Sequence, residues 1–201
     1  MMSKQKDEQV QANLGKAGDG LPLLEGIFLK HMLFPLLKNF MTWDKALFIF
    51  EREGHKILNL VKDMSHEQLF ARVLIPRKFA LEDNSRYYSA AMVLWHLVYV
   101  GDAIEQGIID LSLNREIGIT VKIANFKPYV PIQDDIVELY ASFLSDYRTC
   151  LDTHVGDKFA STTHIHPWFG ALNPYEWLVM SMAHQFIHRR QLEAIVNTLS
   201  K

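Results

Sequence analysis

The last stretch of the chain, residues 173–199, carries the strongest helix signals in the sequence and restricts the fold more than any other feature. Asn173 can accept the free backbone N–H groups of a first helical turn, Pro174 suits the first helical position, and Glu176 lies at the positive end of the helix. No further glycine or proline interrupts the stretch, so the sequence predicts one continuous helix.

One face of this predicted helix carries two histidines. The residues that share the face recur every three or four positions and are Trp177, Ser181, His184, His188, Gln191 and Ile195. Apolar neighbours indicate that the face points into a core, where two imidazoles one turn apart suit joint coordination of one metal ion. However, nine histidines among 201 residues produce roughly 0.4 such pairs by chance, so the pair alone also fits two histidines satisfied by hydrogen bonds.

Length and composition are those of a single globular domain. Of the 201 residues, 49% are hydrophobic and 22% are charged, which is enough apolar material for a large core. A net charge of −2 gives no reason to expect nucleic acid as a partner, because phosphate binding needs clustered cationic surface. The single cysteine, Cys150, fits a small buried hydrophobe better than a nucleophile and suits a reducing compartment, so we expect a cytoplasmic protein.

The first forty residues differ from the rest of the chain. Residues 1–20 are polar, contain three glycines and lack the apolar core of a secretory signal, so we expect a flexible N-terminal tail. Residues 21–41 form an apolar N-terminal segment, which Lys30, Pro35 and Lys38 interrupt and which is too short to be an integral membrane segment. We expect a strap packed on the domain or on a second subunit, with a membrane-surface helix as the alternative.

Residues 42–201 contain four long amphipathic patterns and little strand signal. The predicted helices cover about 42–62, 85–113, 133–155 and 173–199, and Ser65 with Gln68 resembles a capping box for a further short turn. The connection 114–131 is longer than a simple bundle link and suggests a crossover or a lid. These patterns predict an all-α four-helix bundle with an N-terminal helical extension.

His96 lies in the middle of the broad apolar face of the second predicted helix. A buried neutral histidine needs partners for both ring nitrogens, and it is more often hydrogen-bonded in a core than bound to metal. In a bundle, however, the inward faces of the second and fourth helices can bring His96 to His184 and His188. Three imidazoles leave a fourth coordination position open, as in catalytic sites. Ser181 and Gln191, one turn on either side of the pair, are candidates for hydrogen bonds to the ligands or to a substrate.

Three motifs resemble the DinB/YfiT-like superfamily. They are the histidine of the segment VLWHL at 93–97, the segment HPWFG at 166–170 and the pattern HxxxHxxQ at 184–191. The resemblance covers roughly residues 42–199. The resemblance implies an all-α up–down–down–up bundle with a three-histidine site for nickel, zinc or a related divalent ion, and it carries over His96, His184 and His188 as ligands. It also implies thiol-dependent transferase or isomerase activity, with a low-molecular-weight thiol as cofactor, and a homodimer.

The leading hypothesis is therefore a metal-dependent enzyme that acts on a small molecule, by transfer of a low-molecular-weight thiol or, as a hydrolase variant, by activation of water. The alternative is a non-catalytic helical bundle with a role in structure, interaction or ligand binding, in which the metal is structural or absent. His164 and His166, just before the last helix, are expected to order a turn rather than to bind metal. Arg189 and Arg190 are expected to face solvent or a partner subunit.

Overall fold

The computed structural model describes residues 2–118, 121–128 and 131–200, most of which are helical. The α-helices of these residues are α1 (Met2–Ala12), α2 (Leu23–Phe28), α3 (Phe34–Phe40), α4 (Trp43–Val61), α5 (His66–Phe70), α6 (Ala90–Ser112), α7 (Ile136–His154) and α8 (Pro174–Leu199). A π-helical turn, Leu29–Leu33, joins α2 to α3, and 3₁₀ turns occupy Asp83–Arg86 and Ile123–Phe126. Two antiparallel strand pairs lie in the connections: β1 (Val73–Leu74) with β2 (Tyr87–Tyr88), and β3 (His164–His166) with β4 (Gly170–Leu172).

The long helices α4, α6, α7 and α8 form a four-helix bundle in which α4 and α6 each pack against α7 and α8. Contacts within or just beside the helices give their directions. Met41–Tyr175 and Glu53–Arg189 join α4 to α8. Ser85–Gln191 and His96–His184 join α6 to α8, and Gly101–Phe143 and Ser112–Gly156 join α6 to α7. Helix α8 is therefore parallel to α4 and antiparallel to α6, and α7 is parallel to α6, which makes an up–down–down–up bundle. The predicted all-α four-helix bundle is confirmed.

The topology explains the longest connection of the bundle. Since α6 and α7 run in the same direction, the chain between them has to return along the length of the bundle before α7 can begin. The predicted connection 114–131 includes residues 119, 120, 129 and 130, which lie outside the described residues. Of its described residues, the segment 121–128 contains the Ile123–Phe126 turn and lies against the bundle near α6.

Capping side chains set the starts of α4, α5 and α8 close to where the sequence predicts them. Thr42 accepts from the N–H of Lys45 at the start of α4, and complete capping boxes precede α5 and α8. The second long helix is different. It starts at Ala90 and not at Ser85, because Tyr87–Tyr88 pairs with β1 and Ser89 then caps the helix by accepting from the N–H of Met92.

Helix α7 approaches both of its neighbours closely, and glycines make this possible. A Cβ atom added to Gly54 of α4 would lie 2.3 Å from Leu144, and one added to Gly101 of α6 would lie 2.3 Å from Phe143. These α7 side chains occupy the space that a side chain at either glycine would need. The bundle core therefore depends on two positions without side chains.

The N-terminal segment differs from the predicted flexible tail. Helix α1 is followed by a turn whose backbone is held by two carboxylates: Gly15 N–H donates to Asp83 at 3.0 Å, and Gly18 N–H donates to Glu82 at 2.8 Å. Composition does not indicate such contacts, because their acceptors lie more than sixty residues away in the chain.

Residues 22–41 form a strap, defined here as α2, the π-helical turn and α3. Its inner face buries Leu29 and Phe34, and the Tyr175 hydroxyl of α8 donates to the Lys38 carbonyl at 2.6 Å. Its outer face is apolar and exposed, with Leu24 at 80% and Phe40 at 72% of full exposure. The predicted packing on the domain is observed. Among the described residues, no helix combines the length and the hydropathy needed to cross a bilayer.

Candidate metal centre

Three histidines from two helices converge on one point inside the bundle. His96 lies in α6, and His184 and His188 lie one turn apart in α8; their candidate ligand nitrogens are all within 4.8 Å of one another. The Nε2 atoms of His96 and His184 are 3.1 Å apart. Two tetrahedral zinc ligands at 2.0–2.1 Å from the ion would have nitrogens about 3.3 Å apart, so this spacing fits two ligands of one divalent ion.

Hydrogen bonds on the outer side of two rings determine which nitrogens face the shared point. His96 Nδ1 lies 2.8 Å from the carbonyl oxygen of Phe126, which can only accept, so Nδ1 carries the proton and Nε2 has a free lone pair. His188 Nδ1 donates to Gln191 Oε1 at 2.6 Å, and Gln191 Nε2 donates to the carbonyl of Ser85 at 2.7 Å, which fixes the orientation of the amide. Such outer hydrogen bonds orient metal-binding histidines.

Burial keeps the three rings neutral near pH 7. Desolvation lowers the pKa of His96 to about 4, and the pKa values of His184 and His188 lie well below the ordinary value for the same cause and because the rings face each other. Neutral imidazole is the form that binds metal, because its free nitrogen lone pair is the ligand. The three candidate ligands are therefore in the protonation state that metal binding requires.

The two residues predicted to support the ligands lie in different surroundings. Gln191 contacts His188, as described above. Ser181 does not face the three histidines: its hydroxyl lies 3.0 Å from the hydroxyl of Tyr147 of α7, in the core. The predicted role of Ser181 at the site therefore fails, because buried side chains surround α8 on several sides and periodicity alone does not show which side faces α6.

The other candidate residues of the sequence also lie outside the cluster of ligand atoms. His166 Nδ1 accepts from the backbone N–H groups of Trp168 and Phe169, so it orders the turn between β3 and β4, and burial lowers its pKa to about 4. His164 stacks on Trp177. Cys150 of α7 is half-buried, and burial raises the pKa of its thiol, which opposes a role as nucleophile.

The sequence does not predict that the segments between the helices contribute residues beside the three histidines. Besides the Phe126 carbonyl, Lys127 brings a buried ammonium group that pairs with Glu82 and donates to the Ser85 hydroxyl at 2.7 Å. Burial lowers the pKa of Lys127. Glu82 also accepts from the N–H of Gly18, so this ion pair joins the N-terminal segment to the connection beside the site. No local pattern signals these contacts.

A cavity of about 480 Å³ lies beside the three histidines. The strap, α6, α8 and the connection 121–128 contribute its walls, which are predominantly apolar. A fourth ligand of a metal ion held by the three rings would come from this cavity. The arrangement has the parts of an open metal site: neutral imidazoles, outer hydrogen bonds and space for a small molecule.

No family model and no curated protein matches the chain. A solved crystal structure of a protein described as a four-helix bundle protein is similar, with a TM-score of 0.51 and 24% sequence identity over 76% of this chain and 98% of that chain. At this identity the likeness shows the fold alone.

Proposed function

We propose that this protein is a metal-dependent enzyme that acts on a small molecule, with His96, His184 and His188 as the ligands of one nickel or zinc ion. The observation that carries the proposal is the convergence of three neutral imidazoles at the wall of an apolar cavity, with His188 buried and His96 and His184 partly buried. A structural zinc site closes all four positions with protein ligands, whereas three ligands beside a cavity leave one position for a reactant.

A divalent ion at this site would lower the pKa of a bound water or thiol and so supply a nucleophile at neutral pH. The chain contributes the remaining functions. Phe126 and Gln191 hold His96 and His188 in the metal-binding tautomer, and the apolar walls exclude water from the reacting atoms.

We further propose a low-molecular-weight thiol as the second reactant, in line with the DinB/YfiT-like resemblance of the histidine motifs. A reducing, cytoplasmic compartment, as expected from the single cysteine, would keep such a thiol available. The exposed apolar outer face of the strap supports a homodimer, because a patch of this kind favours a protein partner.

Elemental analysis of the purified protein tests the proposal. We expect about one nickel or zinc ion per chain and a large loss in His184→Ala, because two imidazoles hold such an ion much more weakly than three. His55→Ala is the matched control, since His55 lies exposed on α4. Equal metal content in the parent and in His184→Ala would remove this site from consideration.

One contact favours the non-catalytic alternative. The 3.1 Å spacing of His96 Nε2 and His184 Nε2 also fits a hydrogen bond between two neutral rings, which would satisfy both without metal. In that case added nickel or zinc leaves the melting temperature unchanged. Under the metal-enzyme proposal, an ion at one hundred times its Kd stabilises the fold by about 2.7 kcal/mol.

A further inference from the structure

The cavity beside the metal site has walls made almost entirely of carbon. Leu29 and Phe34 of the strap close one side, Ile104 of α6 and Met180 of α8 line others, and all four are buried. The ring of Phe34 stacks on that of Phe169 with centroids 4.6 Å apart, which fixes the strap over the cavity. The volume of about 480 Å³ lies within the range of small-molecule sites.

The charged groups in these walls offer little to a polar ligand. Lys127 and Glu82 neutralise each other, and the Ser85 hydroxyl takes a further hydrogen of the ammonium group. Arg190 is a half-buried residue of the cavity wall, and its guanidinium carbon lies 5.8 Å from the ring centre of the exposed Phe186. Two further polar atoms of the lining residues, His164 Nε2 and Trp177 Nε1, have no hydrogen-bond partner among the described residues. Since the remaining walls are predominantly apolar, a ligand with several polar groups would give up more hydrogen bonds to water than it regains in the cavity.

We propose that the substrate of this site has an apolar carbon skeleton, which fills the cavity, and one thiol or oxygen head group, which reaches the three histidines. This inference rests on the proposed function, because the head group is assigned to the metal position. The apolar skeleton provides the affinity through the hydrophobic effect, and the histidines determine which end points inward.

Binding of two homologous series to the nickel-loaded protein tests the inference. The first series is the n-alkanethiols from ethanethiol to octanethiol, followed by the thiolate-to-nickel absorption band; the second is the n-alkanols of the same lengths, followed by titration calorimetry. We expect affinity to rise about fourfold per added methylene in both series until the chain fills the cavity. At equal length, the thiol should bind more tightly than the alcohol.

Two variants on one helix show whether the chain lies in this cavity. Ala103 of α6 lines the cavity and is exposed, so the fold tolerates a larger side chain there, and Ala103→Phe should weaken octanethiol about tenfold or more while sparing ethanethiol. Gln106 is also exposed on α6 but does not line the cavity, and Gln106→Phe should behave as the parent.

The outcomes separate this inference from the proposed function. Thiol affinity that is independent of chain length would overturn the apolar substrate and leave the metal enzyme intact. Tighter binding of a hydrophilic peptide thiol than of hexanethiol would do the same. The proposed function would instead be overturned if the protein took up no nickel and showed no thiolate absorption while alkanol affinity still rose with chain length. An apolar ligand site would then remain.

Discussion

Helix α8 buries polar groups on two sides, and the two sides use them differently. Away from α6, these groups have protein partners: Gln185 donates to the Tyr140 hydroxyl at 2.7 Å, and Arg189 pairs with Glu53 across the core and with Glu193 on its own helix. Towards α6, His188 uses one ring nitrogen for a hydrogen bond and points the other at a position that it shares with two further imidazoles. The first side consists of closed pairs, and the second leaves lone pairs open.

Under the proposed function, this difference separates polar groups that stabilise the fold from polar groups that bind a metal ion. A closed pair satisfies buried donors and acceptors, so its loss should reduce stability and leave ligand binding unchanged. Open lone pairs stabilise nothing until a further species binds, so their loss should affect metal binding and the response to acid. Substitutions on either side can therefore break or sharpen the comparison.

The largest effect should come from acidifying the metal-free protein. In the unfolded chain histidine titrates near pH 6.5, whereas the pKa values of His96 and His166 in the fold are about 4, so between these values the unfolded state binds more protons. Stability is full above pH 6.5 and falls as the pH drops towards 4. At pH 5 these two histidines together should have removed about 4 kcal/mol, and His184 and His188 act in the same direction. Glu105 acts in the opposite direction, because burial raises the pKa of its carboxyl to about 7 and the folded state therefore binds its proton first as the pH falls.

Urea unfolding of chelator-treated Glu105→Gln from pH 7.5 to 5 measures this loss, because the variant lacks the opposing carboxyl. Tyr147→Phe is the control from the closed side, where the hydroxyl pairs with Ser181: it should lower stability by about 1 kcal/mol at every pH in this range. A free energy of unfolding that stays flat between pH 6.5 and 5 would show that the rings are not buried in neutral form.

The next effect should come from breaking the ion pair on the closed side. Glu53 is 1% exposed; burial alone would raise its pKa, but hydrogen bonds from Lys56 and Arg189 outweigh burial and lower it. Glu53→Gln leaves the buried Arg189 guanidinium with the outer carboxylate of Glu193 alone, so we expect a loss of about 3 kcal/mol in urea unfolding.

Glu193→Gln is the matched control, because it removes the more exposed carboxylate from the same guanidinium and should cost no more than about 1 kcal/mol. Metal content should equal that of the parent in both variants. Loss of metal in Glu53→Gln would contradict the independence of the two sides of α8.

Helical periodicity is sufficient to predict the four-helix bundle and to place His184 and His188 one turn apart on the same helix. Capping signals at Ser65 and Asn173 predict two helix starts directly, because these contacts are local. Periodicity did not reveal the inward side of α8, since polar and apolar residues are buried around much of this helix. This is why Ser181 was assigned to the wrong surroundings.

The supports of the site could not be predicted, because they come from distant connections. The Phe126 carbonyl reaches His96 across thirty residues, and Gln191 reaches the Ser85 carbonyl across 106. Nothing in the local sequence distinguishes Lys127 from a surface lysine. It is buried against Glu82 because the chain returns along the bundle between α6 and α7. Such contacts follow from the topology and not from any local pattern.

The smallest expected change in stability comes from substituting two glutamines of α8. These substitutions are also the most direct test of the comparison between the two sides of the helix. Gln191 and Gln185 are 0% and 1% exposed; the first orients His188 and the second contacts Tyr140. Replacing either with leucine leaves buried polar partners unsatisfied, at a similar cost in stability of about 1–3 kcal/mol.

Only Gln191→Leu should change metal binding. His188 then loses the acceptor that fixes its tautomer and ring orientation, so nickel or zinc affinity should fall about ten- to a hundredfold, measured by competition with a chelator. Gln185→Leu should bind metal as the parent does, because Tyr140 lies away from the three imidazoles. Equal affinities in the two variants would mean that the hydrogen bond to His188 is as structural as the one to Tyr140, and the distinction between the two sides of α8 would be lost.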